Sequence, residues 1–175
     1  MRCSNSKVLG ADHNKDQTPP NPQRWTTSIK IEMIQYEKMI FPASQRPVTH
    51  DYSDQLSKAA ETIPCYDLKE VMSEKLRALI QRSYTAPRDY YDIWFLANHF
   101  QDWDWTVIKA VFLEKMKFKN LEFTGIDQLL NYENDKSIQS AWKNSLGHQI
   151  TQNNLPEYTS VKENLQLLFE KIFNP

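Results

Sequence analysis

The sequence predicts an α+β protein that is predominantly helical, with a small antiparallel β element followed by a C-terminal helical bundle. Apolar and polar residues alternate from Ser28 to Met33, which is the two-residue period of a strand. From position 67 onward, apolar residues instead recur at intervals of three and four, which is typical of amphipathic helices. The chain has 175 residues, of which 40% are hydrophobic, so a single packed core is expected.

The N-terminal part of the chain is expected to hold little regular structure. Residues 1–24 are polar and contain three prolines without any periodicity, so we predict a disordered or irregular arm. Residues 25–66 are predicted to form the β part, with a first strand between 25 and 40. The short apolar run 63–66 is predicted to pair with this strand, and the connection between them is predicted to include a short helix at 54–60.

Residues 67–175 are predicted to form the helical domain. Asp67 is the predicted N-cap of the first helix, with Glu70 three residues later as its capping-box partner. Pro87 is predicted in the first turn of the second helix, where its missing N–H costs little. The predicted helices span approximately 68–82, 85–100, 104–117, 126–131, 135–144 and 158–173.

Two charged residues interrupt the apolar stripes of the first two predicted helices. Lys75 lies between Val71 and Leu79 on the apolar line of the first helix. Asp89 lies on the apolar line of the second helix, and Asp92 lies at the edge of that face. Burying an unpaired charge is costly, so such groups come paired or face a polar cleft. We therefore expect either a structural ion pair between Lys75 and Asp89 or a functional cleft, and the pattern alone leaves both open.

The composition excludes several classes of protein. No run of about 18 apolar residues is present, so neither a transmembrane helix nor a membrane partner is expected. The N-terminus lacks the apolar core of a secretory signal, and we predict a soluble, cytoplasmic protein. Three isolated glycines exclude a glycine-rich phosphate loop, and the two cysteines and four histidines do not fall at metal-ligand spacing.

The basic residues give no clear sign of nucleic-acid binding. The net charge is −1, from 21 basic and 22 acidic residues. Four lysines near the end of the third predicted helix are expected to be solvated there, because cations are favourable at a helix C-terminus. A basic patch for RNA is the less favoured interpretation of this group. These lysines are Lys109, Lys115, Lys117 and Lys119.

One motif extends over the first two predicted helices. It consists of the runs YDLKEVMSEKLRALIQR at 66–82 and PRDYYDIWFL at 87–96. Its pattern is an acidic-Lys-Leu helix, then an arginine, then Arg-Asp-x-x-Asp, and it resembles that of the AbiEii/AbiGii family of nucleotidyltransferase-like toxins. The IKIEM run also resembles the family's Lys-x-Glu strand, and the likeness covers roughly 25–173. The matching residues are Lys30, Glu32, Glu74, Lys75, Leu76, Arg82, Arg88, Asp89 and Asp92.

The resemblance implies nucleotidyl transfer in a bacterial toxin–antitoxin or abortive-infection system used in phage defence. Its expected cofactors are Mg²⁺ and a nucleoside triphosphate, and its expected partners are an antitoxin protein and an RNA acceptor such as tRNA. By position, Lys75, Asp89 and Asp92 match the family's catalytic residues. Among the other matches, the resemblance implies phosphate contacts for Arg82, Arg88 and Lys30, and a metal ligand in Glu32. Arg82 and Arg88 could instead orient the carboxylates.

One part of the family pattern is not found in this sequence. No Gly-Ser or Gly-Gly turn followed by Asp-x-Asp precedes the IKIEM run. The literal Asp-x-Asp at 102–104 follows the second predicted helix, and Asp104 is expected to cap the third. Residues 25–66 would then be the residual β part of a nucleotidyltransferase-like lobe. We therefore expect the C-terminal portion of such an enzyme, truncated and catalytically incomplete on its own.

Two other interpretations follow from the same motif. The helical fold could serve as a non-catalytic binding module that holds RNA, a partner protein or a complementary N-terminal half. It could also be a remnant that folds without a function. In either case an apolar face left uncovered by the absent lobe would favour a homo-oligomer.

Overall fold

The computed structural model describes Lys30, Met33 and the ranges 36–49, 62–82, 86–151 and 154–174. The chain divides into two compact units, Met1–Glu37 and Lys38–Pro175. In the first unit, Lys30 and Met33 have no regular secondary structure, although both belong to the predicted first strand. The rest of that strand's run from 28 to 33, including Glu32, lies outside the described residues, as does the short helix predicted at 54–60.

The second unit begins with a two-stranded antiparallel sheet. Its strands are β1, Ser44–Pro47, and β2, Thr62–Cys65. The register pairs Ser44 with Cys65, Gln45 with Pro64, Arg46 with Ile63 and Pro47 with Thr62.

The second strand lies within a residue of its prediction, but the prediction of its partner was wrong. The partner is the 44–47 segment, which was predicted as a connection, rather than the run at 25–40. The sequence of this segment, SQRP, shows no alternation of apolar and polar residues. Both strands are largely exposed, so neither has a face that must be apolar. A strand that buries no face leaves no periodic signal in the sequence.

The helices follow the sheet in the order that the periodicity predicts, and their bounds agree with the predictions to within about two residues. The fold is therefore α+β and mostly helical, which confirms the predicted class. The helices are α1 Leu68–Gln81, α2 Pro87–His99, α3 Trp105–Phe118, α4 Ile126–Leu130, α5 Asp135–Leu146 and α6 Tyr158–Phe173.

The helix starts follow the predicted capping residues. The Asp67 carboxylate accepts a hydrogen bond of 2.8 Å from Lys69 N, and the Asp104 carboxylate accepts one of 2.9 Å from Thr106 N. These bonds satisfy backbone donors that have no partner within the helix. Pro87 occupies the first turn of α2, where a missing N–H removes no helical bond. These residues fix where α1, α2 and α3 begin.

The core lies between α1, α2, α3 and α6. α1 packs against α2 on one side and α3 on the other, and α6 packs against α2, α3 and α4. Each helix contributes apolar residues at helical spacing, so the stripes predicted from the sequence form one continuous core. Its fully buried members include Met72, Leu76, Ile93, Ile108, Phe112, Leu129, Ile138, Trp142, Val161 and Phe169. Within the described ranges, no helix is long and apolar enough to cross a membrane.

Candidate functional site

Lys75 connects α1 to the beginning of α2. Its Nζ lies 2.8 Å from Oδ1 of Asp89 and 2.6 Å from Oδ2 of Asp92. The two aspartates are three residues apart, so they project from one side of α2. The structure therefore brings together the three residues that the family motif marks as catalytic, around a single ammonium group.

Two arginines extend this group on its outer side. Arg82 Nη1 donates to Oδ2 of Asp89, and Arg88 Nε lies 3.7 Å from Oδ2 of Asp92. We call these five residues, Lys75, Arg82, Arg88, Asp89 and Asp92, the Lys75 cluster. It contains three positive and two negative formal charges, so it carries a net positive charge. An anion that approaches the cluster would be attracted to it.

The two aspartates of the cluster differ in their access to solvent. The side chain of Asp89 is 1% exposed, and it is bonded to both Lys75 and Arg82. The side chain of Asp92 is 28% exposed, and that of Lys75 is 24% exposed. A bound molecule could therefore contact Lys75 and Asp92 directly. Asp89 is buried beneath them, and its hydrogen bond holds the Lys75 side chain in place.

Lys75 is a cation in this environment. Burial lowers the pKa of Lys75, but its hydrogen bonds to Asp89 and Asp92 outweigh burial and raise the pKa above its usual value. The amine therefore carries a proton at neutral pH. This state suits contact with phosphate oxygens, and it does not suit a general base.

A second ionic cluster lies on the opposite side of α1. Lys115 of α3 is buried, and its Nζ donates to the buried carboxylate of Glu70 and, at 3.0 Å, to Glu74. The same Nζ donates to the carbonyl of Lys38 at 2.8 Å. Glu70 also accepts a hydrogen bond of 2.9 Å from the backbone N–H of Phe41. We call Glu70, Glu74 and Lys115 the Lys115 cluster, and it binds the start of the second unit to α1 and α3.

This second cluster corrects two predictions. Asp67 caps α1 as expected, but Glu70 does not complete a capping box, because it accepts N–H groups of Ile40 and Phe41 instead. Lys115 is not solvated as predicted, since it is 1% exposed. A signal was present in the sequence: Lys115 continues the apolar line of Ile108 and Phe112, which is the criterion that identified Lys75.

Two predicted site residues belong to the first unit. Lys30 is exposed there and has no regular secondary structure, and Glu32 lies outside the described residues. Their predicted roles as a phosphate contact and a metal ligand therefore stay predictions. In the part of the chain that the structure describes, no three His, Cys, Asp or Glu side chains come together as a metal-binding group.

The residues of the Lys75 cluster belong to the motif that resembles the nucleotidyltransferase class of toxins. Residues 11–164 match the family model of the nucleotidyl transferase AbiEii toxin, type IV toxin–antitoxin system. This chain belongs to that family. The match begins within the 1–24 arm, so the family likeness starts earlier than the predicted position 25. Comparison with curated proteins gave no match, and comparison with solved structures gave none either.

Proposed function

We propose that this chain is a toxin of a type IV toxin–antitoxin system in which the Lys75 cluster binds the triphosphate of a nucleoside triphosphate. Membership of the AbiEii family implies nucleotidyl transfer and an antitoxin partner. The observation that supports the site is the charged, partly exposed Lys75 ammonium, held by Asp89 and Asp92. The acceptor in this proposal is an RNA such as tRNA, and the reaction takes place in the cytoplasm.

In this reaction the oxygen of an acceptor hydroxyl forms a bond to the α-phosphorus and its proton passes to solvent water. The bond from that phosphorus to the β-bridging oxygen breaks, and pyrophosphate leaves. Negative charge builds up on the phosphate oxygens, and fixed cations stabilise it. Lys75 would supply one such cation. Arg88 would supply a second, because its side chain is 63% exposed and lies at the outer edge of the cluster. Asp89 would keep Lys75 oriented throughout.

The family also implies Mg²⁺, and the described residues do not fit this ion by themselves. Mg²⁺ is usually held by one or two carboxylates together with water and substrate phosphates. Asp89 is closed to solvent and bonded to two cations, so Asp92 is the one accessible carboxylate in the Lys75 cluster. We propose that the metal requires further carboxylates of the kind that the family's Gly-Ser or Gly-Gly turn followed by Asp-x-Asp supplies, a pattern that this sequence does not contain. On its own the chain would then transfer no nucleotide.

Nucleotide binding tests the site directly. Isothermal titration with each of the four ribonucleoside triphosphates is expected to show binding that Lys75→Met weakens about ten-fold or more, because a charge-assisted hydrogen bond is lost. Lys143→Met removes an exposed lysine from α5 and should leave the affinity unchanged. Equal affinities for all three proteins would exclude the Lys75 cluster as the triphosphate site.

Nucleotide transfer tests the proposed incompleteness. The chain is incubated with radiolabelled nucleoside triphosphates, magnesium and total tRNA, and we expect no labelled RNA. Strong labelling that disappears in Lys75→Met would show that the metal ligands are already present in this chain. That result would overturn the proposed need for an external Asp-x-Asp turn and would leave the triphosphate site intact.

A second candidate function is a binding module with the same helical fold. The observation that favours it is Asp89, which is buried and bonded to two cations in the manner of a structural ion cluster between helices. On this interpretation Lys75→Met lowers the free energy of unfolding without changing any nucleotide affinity. The titration described above separates the two functions.

A further inference from the structure

α2 carries a row of aromatic rings that starts beside the Lys75 cluster. The row consists of Tyr91, Phe95 and His99, which are four residues apart and therefore follow one line along the helix. The ring centroids of Tyr91 and Phe95 lie 6.0 Å apart with planes 20° from parallel. Those of Phe95 and His99 lie 5.5 Å apart with planes 10° from parallel. We call these three residues the ring row.

The ring row contacts the rest of the second unit at both ends, since the ring of His99 meets that of Phe100 edge to face at a centroid distance of 4.9 Å. Tyr91 is partly buried and contacts Trp94 and Trp142, with centroid distances of 5.8 and 6.4 Å. Phe95 and His99 are exposed and are not part of the core. A single exposed phenylalanine is ordinary on a protein surface. Phe95 has a ring neighbour on each side along the helix and is still 45% exposed, so its solvent-facing part is where another flat group could contact the row.

The ring row begins next to the Lys75 cluster on α2. Tyr91 directly precedes Asp92, and Arg88 lies one turn earlier on the same side of α2. From Tyr91 to His99 the row extends about 12 Å along the helix axis, at about 1.5 Å per residue. One nucleobase cannot cover this length, whereas two or three consecutive nucleotides of an unpaired strand can.

We propose that the ring row binds unpaired nucleotides of the acceptor strand, so that the end of the strand reaches the Lys75 cluster. This inference rests on the proposed nucleotidyl transfer. Aromatic side chains stack on nucleobases of any sequence. Arg88, at the near end of the row, has five N–H donors, so its guanidinium can contact the triphosphate and still offer a donor to a backbone phosphate of the strand. Flat apolar rings next to an exposed guanidinium complement a strand that presents flat bases and negative phosphates.

A protein partner fits this surface less well. An apolar docking helix or a second copy of this chain would require a continuous apolar patch. Charged Arg88 lies on this line at one end of the ring row, and the polar imidazole of His99 lies at the other end. The experiment below therefore includes self-association through the ring row as a result that would contradict RNA binding.

The test measures the fluorescence anisotropy of a labelled, mixed-sequence single-stranded RNA of ten nucleotides. Phe95→Ala is expected to weaken binding about five-fold or more, because stacking with one base is lost. Phe118→Ala is the matched control, since Phe118 on α3 and Phe95 have the same exposure of 45%. Phe95→Tyr keeps a ring and should keep most of the affinity. A duplex of the same sequence should show no dependence on Phe95.

Three results would overturn the proposal. Equal affinities of wild type and Phe95→Ala would exclude stacking at this position, and an equal loss in Phe118→Ala would indicate a nonspecific effect. If Phe95→Ala instead changed the mass measured by light scattering, with no change in RNA affinity, the ring row would be a self-association surface. Loss of triphosphate binding in Lys75→Met is measured separately, so failure of the ring row and failure of the triphosphate site are distinguishable.

Discussion

Glu74 and Lys75 are consecutive residues of α1, and their side chains bind two different neighbouring helices. Glu74 accepts a hydrogen bond of 3.0 Å from Lys115 of α3, whereas Lys75 donates one of 2.8 Å to Asp89 of α2. Neighbouring residues point about 100° apart around a helix, so one turn of α1 reaches both flanking helices. The rotation of α1 about its axis is therefore fixed by ionic contacts on both sides as well as by the core.

Removal of the Lys75 ammonium should destabilise the fold. In Lys75→Met, Asp89 stays buried with Arg82 as its remaining cation. We expect the free energy of unfolding, measured by urea denaturation, to fall by about 1–3 kcal/mol, which is less than for a fully buried pair because Lys75 is partly exposed. Lys143→Met, which breaks an exposed ion pair with Glu157, should change it by less than about 0.5 kcal/mol. Equal effects of the two substitutions would contradict the prediction.

Removal of the Lys115 ammonium should have a larger effect. Lys115→Met leaves the fully buried Glu70 carboxylate without its cation, and this is expected to cost about 3–5 kcal/mol. Lys117→Met, two residues later and exposed, is the control.

A second substitution tests the cause of this loss. Glu70→Gln added to Lys115→Met removes the buried charge and keeps an acceptor for the Phe41 N–H. A double-mutant cycle in urea should therefore show that the second change restores part of the stability. Strictly additive losses would argue against an ionic coupling between the two residues.

Asp135 should make stability dependent on acidic pH. Partial burial raises the pKa of Asp135, but hydrogen bonds from Lys162 and Tyr158 outweigh it and lower the pKa below the usual 3.8. The carboxylate therefore contributes stability above pH 3.8, and this contribution is lost as the pH falls through the lowered pKa.

The measurement compares melting temperatures of wild type and Asp135→Asn between pH 7 and pH 2. Asp135→Asn should melt at a lower temperature at pH 7, by the equivalent of about 1 kcal/mol, and the two curves should converge at the acidic end. Asp102→Asn changes an exposed loop residue and should match wild type throughout. A gap between the curves that is independent of pH would show that the carboxylate charge is not its cause.

The helices were predictable because each one buries a face, and a buried face leaves its period in the sequence. The same period identified Lys75 and Asp89, since both interrupt an apolar line. Lys115 interrupts the line of α3 in the same way. Its group of lysines lies near the end of α3, where cations are favourable, so the sequence predicts a solvated side chain there although the apolar line places Lys115 inward.

The β element was predictable only in part. β2 contains an apolar residue and was recognised, but its partner β1 is polar and largely exposed. Strand pairing without burial depends on backbone hydrogen bonds, which every residue can form, proline as an acceptor only. No side-chain pattern therefore distinguishes β1 from a loop. The role of Glu70 was also not predictable. Its position three residues after Asp67 predicted a hydrogen bond to the backbone at the start of α1. Its actual partners, the N–H groups of Ile40 and Phe41, are about 30 residues away and leave no spacing signal.

The prolines in the small sheet limit how far that sheet can grow. Each strand carries one, Pro47 in β1 and Pro64 in β2. Exposed edge strands offer unpaired N–H and C=O groups that can recruit strands from other molecules, and proline interrupts such recruitment because it has no N–H. The short exposed strands of this chain are thus poor templates for cross-β aggregation.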